Sequence, residues 1–284
     1  MININCVGKQ DAWDMGQMKT QLSIDQKKQY DADGFIIIED FLSLEELEQW
    51  RSALTIAIDK RDGNKLPDRK FVGTLDDDEK YYDTVFTQRL NLWKDNPAMK
   101  ELILNPQIGR MATELAGLDG VRCWHDQALI KPAWGNPTAW HLDTPFWSFS
   151  HPRAISIWVA LDDATEQNGC LHFMKGSHHN TNYENPGITN AIDSIFDFYP
   201  AYRDVMPVSA AMKAGSCSFH DGLTIHGAGA NMTPYPRRAM TCGFMPLGAK
   251  FDGVQNILSN EQFSALNIGD ELNNEEQNPL IYKK

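Results

Sequence analysis

Residues 123–174 read CWHDQALIKPAWGNPTAWHLDTPFWSFSHPRAISIWVALDDATEQNGCLHFM. Short runs rich in Ile, Val, Phe and Trp alternate here with clusters of Gly, Pro, Asn and Asp, the texture of strands joined by turns. Within this stretch 123–130, 154–161 and 170–174 are strand candidates, and 216–219, 224–226 and 238–244 continue the pattern downstream. The expected class is mostly β, with helices on its flank.

The flanking helices are written upstream. Ser23 is followed three residues later by Gln26, and Ser43 by Glu46, the spacing of two capping boxes. Between them Phe35-Ile36-Ile37-Ile38 is short and apolar, as a buried strand should be. Leu44, Leu47, Trp50, Leu54 and Ile58 recur every three or four residues, so one helix face is expected to pack on a sheet. Asn96-Pro97 and Asn105-Pro106 mark two more helix starts, and Gly117 a stop. The expected organisation is one domain over 1–284: a helical layer at about 20–120, a strand core at 121–250 and an extension at 251–284. Residues 180–200 form a long excursion between strands that could cover a site.

Composition narrows the function. The 284 residues are 42% hydrophobic and 23% charged, an ordinary globular balance. Asp plus Glu is 38 against 26 for Lys plus Arg, a formal charge of −12, so nucleic acid is not an expected partner. No run approaches the roughly 18 apolar residues of a membrane span, and the first residues lack the apolar core of a signal peptide. Cys6, Cys123, Cys170, Cys217 and Cys242 are scattered and odd in number, which suggests reduced thiols in a cytoplasm.

The chemistry is concentrated in Trp140-His141-Leu142-Asp143. On an extended chain residues two apart share a side, so one imidazole and one carboxylate could bite a single ion. His125-Asp126 and His220-Asp221 are direct neighbours that face opposite ways on a strand, and they rank lower. A third ligand candidate, His226, lies 83 residues beyond Asp143, a separation that a barrel or jelly roll readily closes. Two histidines and a carboxylate compose the facial triad of non-haem Fe(II) oxygenases, which leaves positions open for a co-substrate and O2. Arg237, 11 residues past His226, could grip the far carboxylate of a keto diacid through a bidentate fork. Arg238 should face the other way.

Taken together, His141-Leu142-Asp143, the run from Asp163 to Leu171, Gly176-Ser177-His178, His226-Gly227-Ala228-Gly229 with Asn231, and Arg237 resemble the phytanoyl-CoA dioxygenase family of Fe(II)- and 2-oxoglutarate-dependent oxygenases. The resemblance covers roughly residues 25–250. It implies a double-stranded β-helix (a cupin-like jelly roll), iron on His141, Asp143 and His226, and the 2-oxoglutarate C5 carboxylate on Arg237. It also implies Trp158, Gln127 and Thr138 beside the co-substrate, with Ala228 standing where relatives carry a serine. The activity implied is oxidation of an unactivated C–H bond of a small organic metabolite. Hydroxylation is the first expectation and desaturation or cyclisation the variants, with O2 consumed, succinate and CO2 released, and ascorbate as reductant. Because Asp143 is a carboxylate, the position that halogenases leave for chloride is filled. Phe146, Trp147 and Phe149 could form an apolar wall over the metal. Two rivals remain: a cupin-like metal-dependent isomerase or hydrolase, which has no use for Arg237, and a catalytically silent 2-oxoglutarate-binding protein. The residues do not indicate an oligomeric state.

Overall fold

A computed structural model describes residues 18–61, 63–67, 81, 83–188 and 190–284; Cys6 and the N-terminal segment lie outside them. Both capping boxes form. Ser23 accepts from the Gln26 N–H and Ser43 from that of Glu46, while each N3 side chain returns to its cap, opening α1 (Ile24–Asp33) and α2 (Leu44–Lys60). Asn96 and Asn105 likewise cap α3 (Pro97–Ile103) and α4 (Pro106–Ala116), and α4 ends at Gly117 in the left-handed conformation. Two short helices follow, α5 (Ile195–Phe198) and α6 (Asn260–Ala265).

The strands are β1 (Phe35–Ile38), β2 (Thr87–Leu90), β3 (Gly120–Lys131), β4 (Thr138–His141), β5 (Ile155–Ala160) and β6 (Leu171–Phe173). They continue as β7 (Val208–Ser209), β8 (Cys217–Asp221), β9 (His226–Ala228), β10 (Arg237–Pro246) and β11 (Leu280–Lys283). Among the described residues they form two antiparallel sheets of a jelly roll. The larger runs β1-β8-β5-β10-β3-β11 with β2 also on β3, and the smaller runs β4-β9-β6-β7.

Parity along the large sheet decides what each face does. Ile155, Ile157 and Val159 of β5, Cys217 and Phe219 of β8, and Met240, Cys242 and Phe244 of β10 join the helices in one apolar core with Leu47, Trp50, Leu54, Ile108, Met111 and Leu115. The alternate residues face the smaller sheet and fall into register. His220, Ser156, Gly243 and His125 make one row across four strands, and Ser218, Trp158, Thr241 and Gln127 the next. Both faces of β5 are buried, which is why it reads as an apolar run interrupted only at Ser156.

Several expectations are corrected. Leu44 is 84% exposed: as the first residue of α2 it sits ahead of the packing face, which Ala53 and Ala57 complete instead. The strand expected at 224–226 begins only at His226, because Thr224 N–H donates to the Asp221 carbonyl and closes a turn. The C-terminal extension supplies β11, an edge strand that packs on α4. Gly109 makes that contact possible, since a Cβ there would stand 2.5 Å from Ile281 Cγ2. No helix among the described residues is long and apolar enough to cross a membrane.

Candidate active site

His141 closes β4 and His226 opens β9, and the two pair in register with ring centroids 4.2 Å apart. Asp143 departs from the expected strand geometry. Its backbone is helical, φ −80° and ψ −51°, and it leads into a single 3₁₀ turn at Thr144–Phe146. The Asp143 and Thr144 N–H groups both donate to the Gly222 carbonyl, so the chain bends against the β8–β9 turn. The bend returns the carboxylate to the histidines: Oδ1 lies 3.7 Å from His141 Nε2 and 3.6 Å from His226 Nε2. One ligand atom from each of the three falls within 4.8 Å of the others, the arrangement of a site that could hold a metal ion.

Hydrogen bonding orients the donors. His141 Nδ1 donates to the Ala139 carbonyl at 2.8 Å and His226 Nδ1 to that of Thr224 at 3.0 Å, which leaves both Nε2 lone pairs facing inward. Burial lowers the proton affinity of both rings, and at His226 the neighbouring His141 lowers it further. Burial works against an ionised Asp143, but His226, His220 and His141 outweigh it and hold the carboxyl well below the usual range. Two neutral imidazoles and one carboxylate are donors already in the protonation state that a bound metal would require.

His141, Asp143, His226 and Arg237 line one cavity of about 490 Å³. Arg237, at the start of β10, is 1% exposed. Its Nη2 donates to the Gly169 carbonyl at 3.0 Å, and its guanidinium lies 5.1 Å from the centre of the Trp158 ring. Nε and Nη1 are buried without a hydrogen-bond partner. Burial brings its pKa down to about 10, so it stays charged. Arg238 points away and binds Asp162 through both Nε and Nη2.

Trp158, Gln127 and Thr138 line the same cavity. Thr138 stands opposite Ala228 in register, with its hydroxyl buried and unpartnered. Gln127 Nε2 is 3.3 Å from His125 Nε2, and its carbonyl accepts from Gln88. Phe146 and Trp147 form part of the wall, whereas Phe149 is fully buried in the core behind it. Trp147 crosses above Gly243, where a Cβ would press on the ring at 3.0 Å.

Ser156 and Lys131 were not singled out in the sequence, and His125 and His220 were ranked low as ligand candidates. Ser156 and His220 both donate to Asp143 Oδ2, at 2.8 and 3.0 Å. His125 is buried in the cavity wall, and burial pushes its imidazole down to about 4. Lys131 sits opposite Arg237, its Nζ donating to the Asn136 carbonyl at 2.6 Å, and burial, with Arg237 adding to it, lowers it to about 7. Strand parity could have pointed to His220 and Ser156, but only once β8 was known to neighbour β5.

The model of the phytanoyl-CoA dioxygenase (PhyH) family matches residues 30–239, about three quarters of the chain. The protein belongs to the phytanoyl-CoA dioxygenase family. Among curated proteins it is 26% identical to an ectoine dioxygenase of Bordetella parapertussis, over 78% of this chain and 75% of that one. It is 25% identical to the peroxisomal phytanoyl-CoA dioxygenase of Rattus norvegicus, over 82% and 71%. Among solved structures it resembles SnoK, a non-haem α-ketoglutarate-dependent carbocyclase from nogalamycin biosynthesis, with a TM-score of 0.75, 25% identity and coverage of 94% and 99%. By class this PhyH-family member is a non-haem iron- and 2-oxoglutarate-dependent dioxygenase.

Proposed function

We propose that the protein hydroxylates an unactivated C–H bond of a small organic metabolite, using His141, Asp143 and His226 to hold Fe(II) and Arg237 to hold the C5 carboxylate of 2-oxoglutarate. The observation that carries this reading is the buried guanidinium. Arg237 keeps two N–H groups without partners inside the cavity that contains the triad, and an isomerase or hydrolase would have no carboxylate to offer it. The donor set, two neutral nitrogens and one carboxylate oxygen, suits Fe(II) with positions left open.

When bound, Fe(II) with 2-oxoglutarate and O2 supplies the oxidation, in which one oxygen atom goes to the keto acid, giving succinate and CO2, and the other to the substrate. The protein's own residues hold, orient and exclude water. The Trp158 face supports the guanidinium, and the lone Thr138 hydroxyl, opposite Ala228, has the place and the free hydrogen-bonding capacity to meet the co-substrate. The wall from His125 and Gln127 to Phe146 and Trp147 combines imidazole and amide groups with aromatic surface, suited to a small ring-bearing molecule. Among the described lining residues the cations are Lys65 and Arg237, few for the phosphates of a coenzyme A thioester.

The test is a panel of small metabolites incubated in air with the protein, Fe(II), ascorbate and 2-oxoglutarate, with succinate quantified and products weighed by mass spectrometry. Gain of one oxygen in step with succinate is expected. Loss of two hydrogens would change the reaction to desaturation or cyclisation at the same site. Succinate formation no greater than that of Asp143→Ala, with every candidate, would sink the proposal.

A further inference from the structure

We propose that His220 and Ser156 are positioning residues that pin one oxygen of Asp143, so that the carboxylate meets a metal ion through Oδ1 alone. This deepens the metal-site reading above and rests on it.

The two oxygens of Asp143 have different surroundings. Oδ1 faces His141 Nε2 and His226 Nε2 at 3.7 and 3.6 Å, whereas Oδ2 accepts from Ser156 Oγ at 2.8 Å and from His220 Nε2 at 3.0 Å. Two donors saturate the lone pairs of one carboxylate oxygen. The donors come from adjacent strands at paired positions, Ser156 of β5 opposite His220 of β8, and each is 2% exposed. Their spacing is thus fixed by the sheet ladder and not by the mobile end of a long side chain.

His220 bears a cost for this contact. With Nε2 committed to Asp143, its Nδ1 is buried and has no hydrogen-bond partner. The ring packs against Phe173, centroid to centroid 5.4 Å, and against His226 at 4.6 Å. An apolar side chain would fill the place without an orphaned nitrogen, so the contact with Oδ2 is what the imidazole contributes. A carboxylate free to rotate could close both oxygens on the ion and consume one of the positions that a facial triad leaves open. Pinning Oδ2 prevents this and turns Oδ1 toward the histidines, as outer-shell partners of metal ligands do.

The experiment uses full-length protein, stripped of metal and titrated anaerobically with Co(II), whose visible absorption weakens as its coordination number rises. Wild type, Ser156→Ala, His220→Phe and His220→Gln are compared, with circular dichroism confirming that each is folded. Ser156→Ala and His220→Phe should each weaken Co(II) binding about 10- to 100-fold and lower the absorption per bound ion, and His220→Gln, which keeps a donor, should recover part of both. Should His220→Phe fail to fold, Ser156→Ala alone decides, because it removes only a hydroxyl. Wild-type affinity and spectrum in the folded variants would overturn the brace and leave the metal site standing. A wild-type protein that binds no Co(II) would overturn the metal site and the brace with it.

Discussion

The two faces of β5 are equally buried and do opposite work. Ile155, Ile157 and Val159 pack against the helices in one apolar core, and the work of that face is packing. Ser156 and Trp158 face the smaller sheet among groups that folding leaves incomplete: two guanidinium nitrogens of Arg237, the Thr138 hydroxyl and His220 Nδ1. Buried polar atoms left unpaired are costly and uncommon; the helix side has its own in the Tyr30 hydroxyl, Trp50 Nε1 and Trp93 Nε1, but those lie in the packed core, whereas the inward ones at Arg237, Thr138 and His220 line a cavity. The outward side is optimised for stability and the inward side for what it has yet to bind.

The comparison breaks most completely at the triad. Asp143→Ala or His141→Ala should reduce 2-oxoglutarate turnover, followed as succinate, to background while the thermal midpoint falls little, since the lost groups line the cavity and not the apolar core. On the other face, Ile157→Ala should destabilise by about 2–5 kcal/mol, the usual cost of truncating a fully packed aliphatic side chain. Urea denaturation measures it, and the KM for 2-oxoglutarate of whatever remains folded should be unchanged. If Ile157→Ala shifts that KM strongly, the two faces are not separable.

Arg237→Ala tests the inward face from the clamp end. A charged hydrogen bond contributes about 1.5–3 kcal/mol, so KM for 2-oxoglutarate should rise about 10- to 100-fold with kcat less affected. Removing a buried cation with unpaired N–H groups should leave the apoprotein no less stable, the reverse of Ile157→Ala. A destabilised variant with unaltered KM would assign Arg237 to the scaffold.

How far such differences can be seen in a bare sequence depends on what encodes them. The apolar face was legible because strand texture and capping boxes are local: Ser23-Gln26 and Ser43-Glu46 act within one turn, and all four helix starts fall where their caps stand. That His141, Asp143, His226 and Arg237 meet around one cavity was legible through spacing and residue type. The place of His220 among them was not, because its contact with Asp143 depends on β8 lying beside β5, a long-range pairing that no local signal carries. Asp143 approaches His141 and His226 through a turn held by the Gly222 carbonyl, so the residues that the alternation argument grouped do meet, but by a different backbone. β2 escaped notice for a related reason. Among the described residues Thr87-Gln88-Arg89-Leu90 pairs with β3 alone, and Gln88 and Leu90 line the cavity, so its pattern answers partly to the site and shows no clean apolar alternation.

The smallest effect comes from the second cation on the inward face. Lys131 is paired in register with Arg237, fully buried, and lowered to about 7 by burial and by that neighbour. A lysine whose pKa is depressed by folding makes the folded state bind fewer protons than the unfolded chain between the two pKa values, so stability must rise with pH across that window. Below about pH 7 both states are protonated and the full penalty applies; above it the folded side chain sheds its proton and the penalty declines. From pH 7 to pH 8 the gain is about 1 kcal/mol. Lys131→Met has no proton to lose, so the rise should be present in the wild-type apoprotein and missing from the variant when both are denatured in urea at the two pH values. Equal slopes would mean that Lys131 keeps its charge in the folded state. The cation pair would then be compensated inside the sheet, and the inward face would be less unfinished than its orphaned atoms indicate.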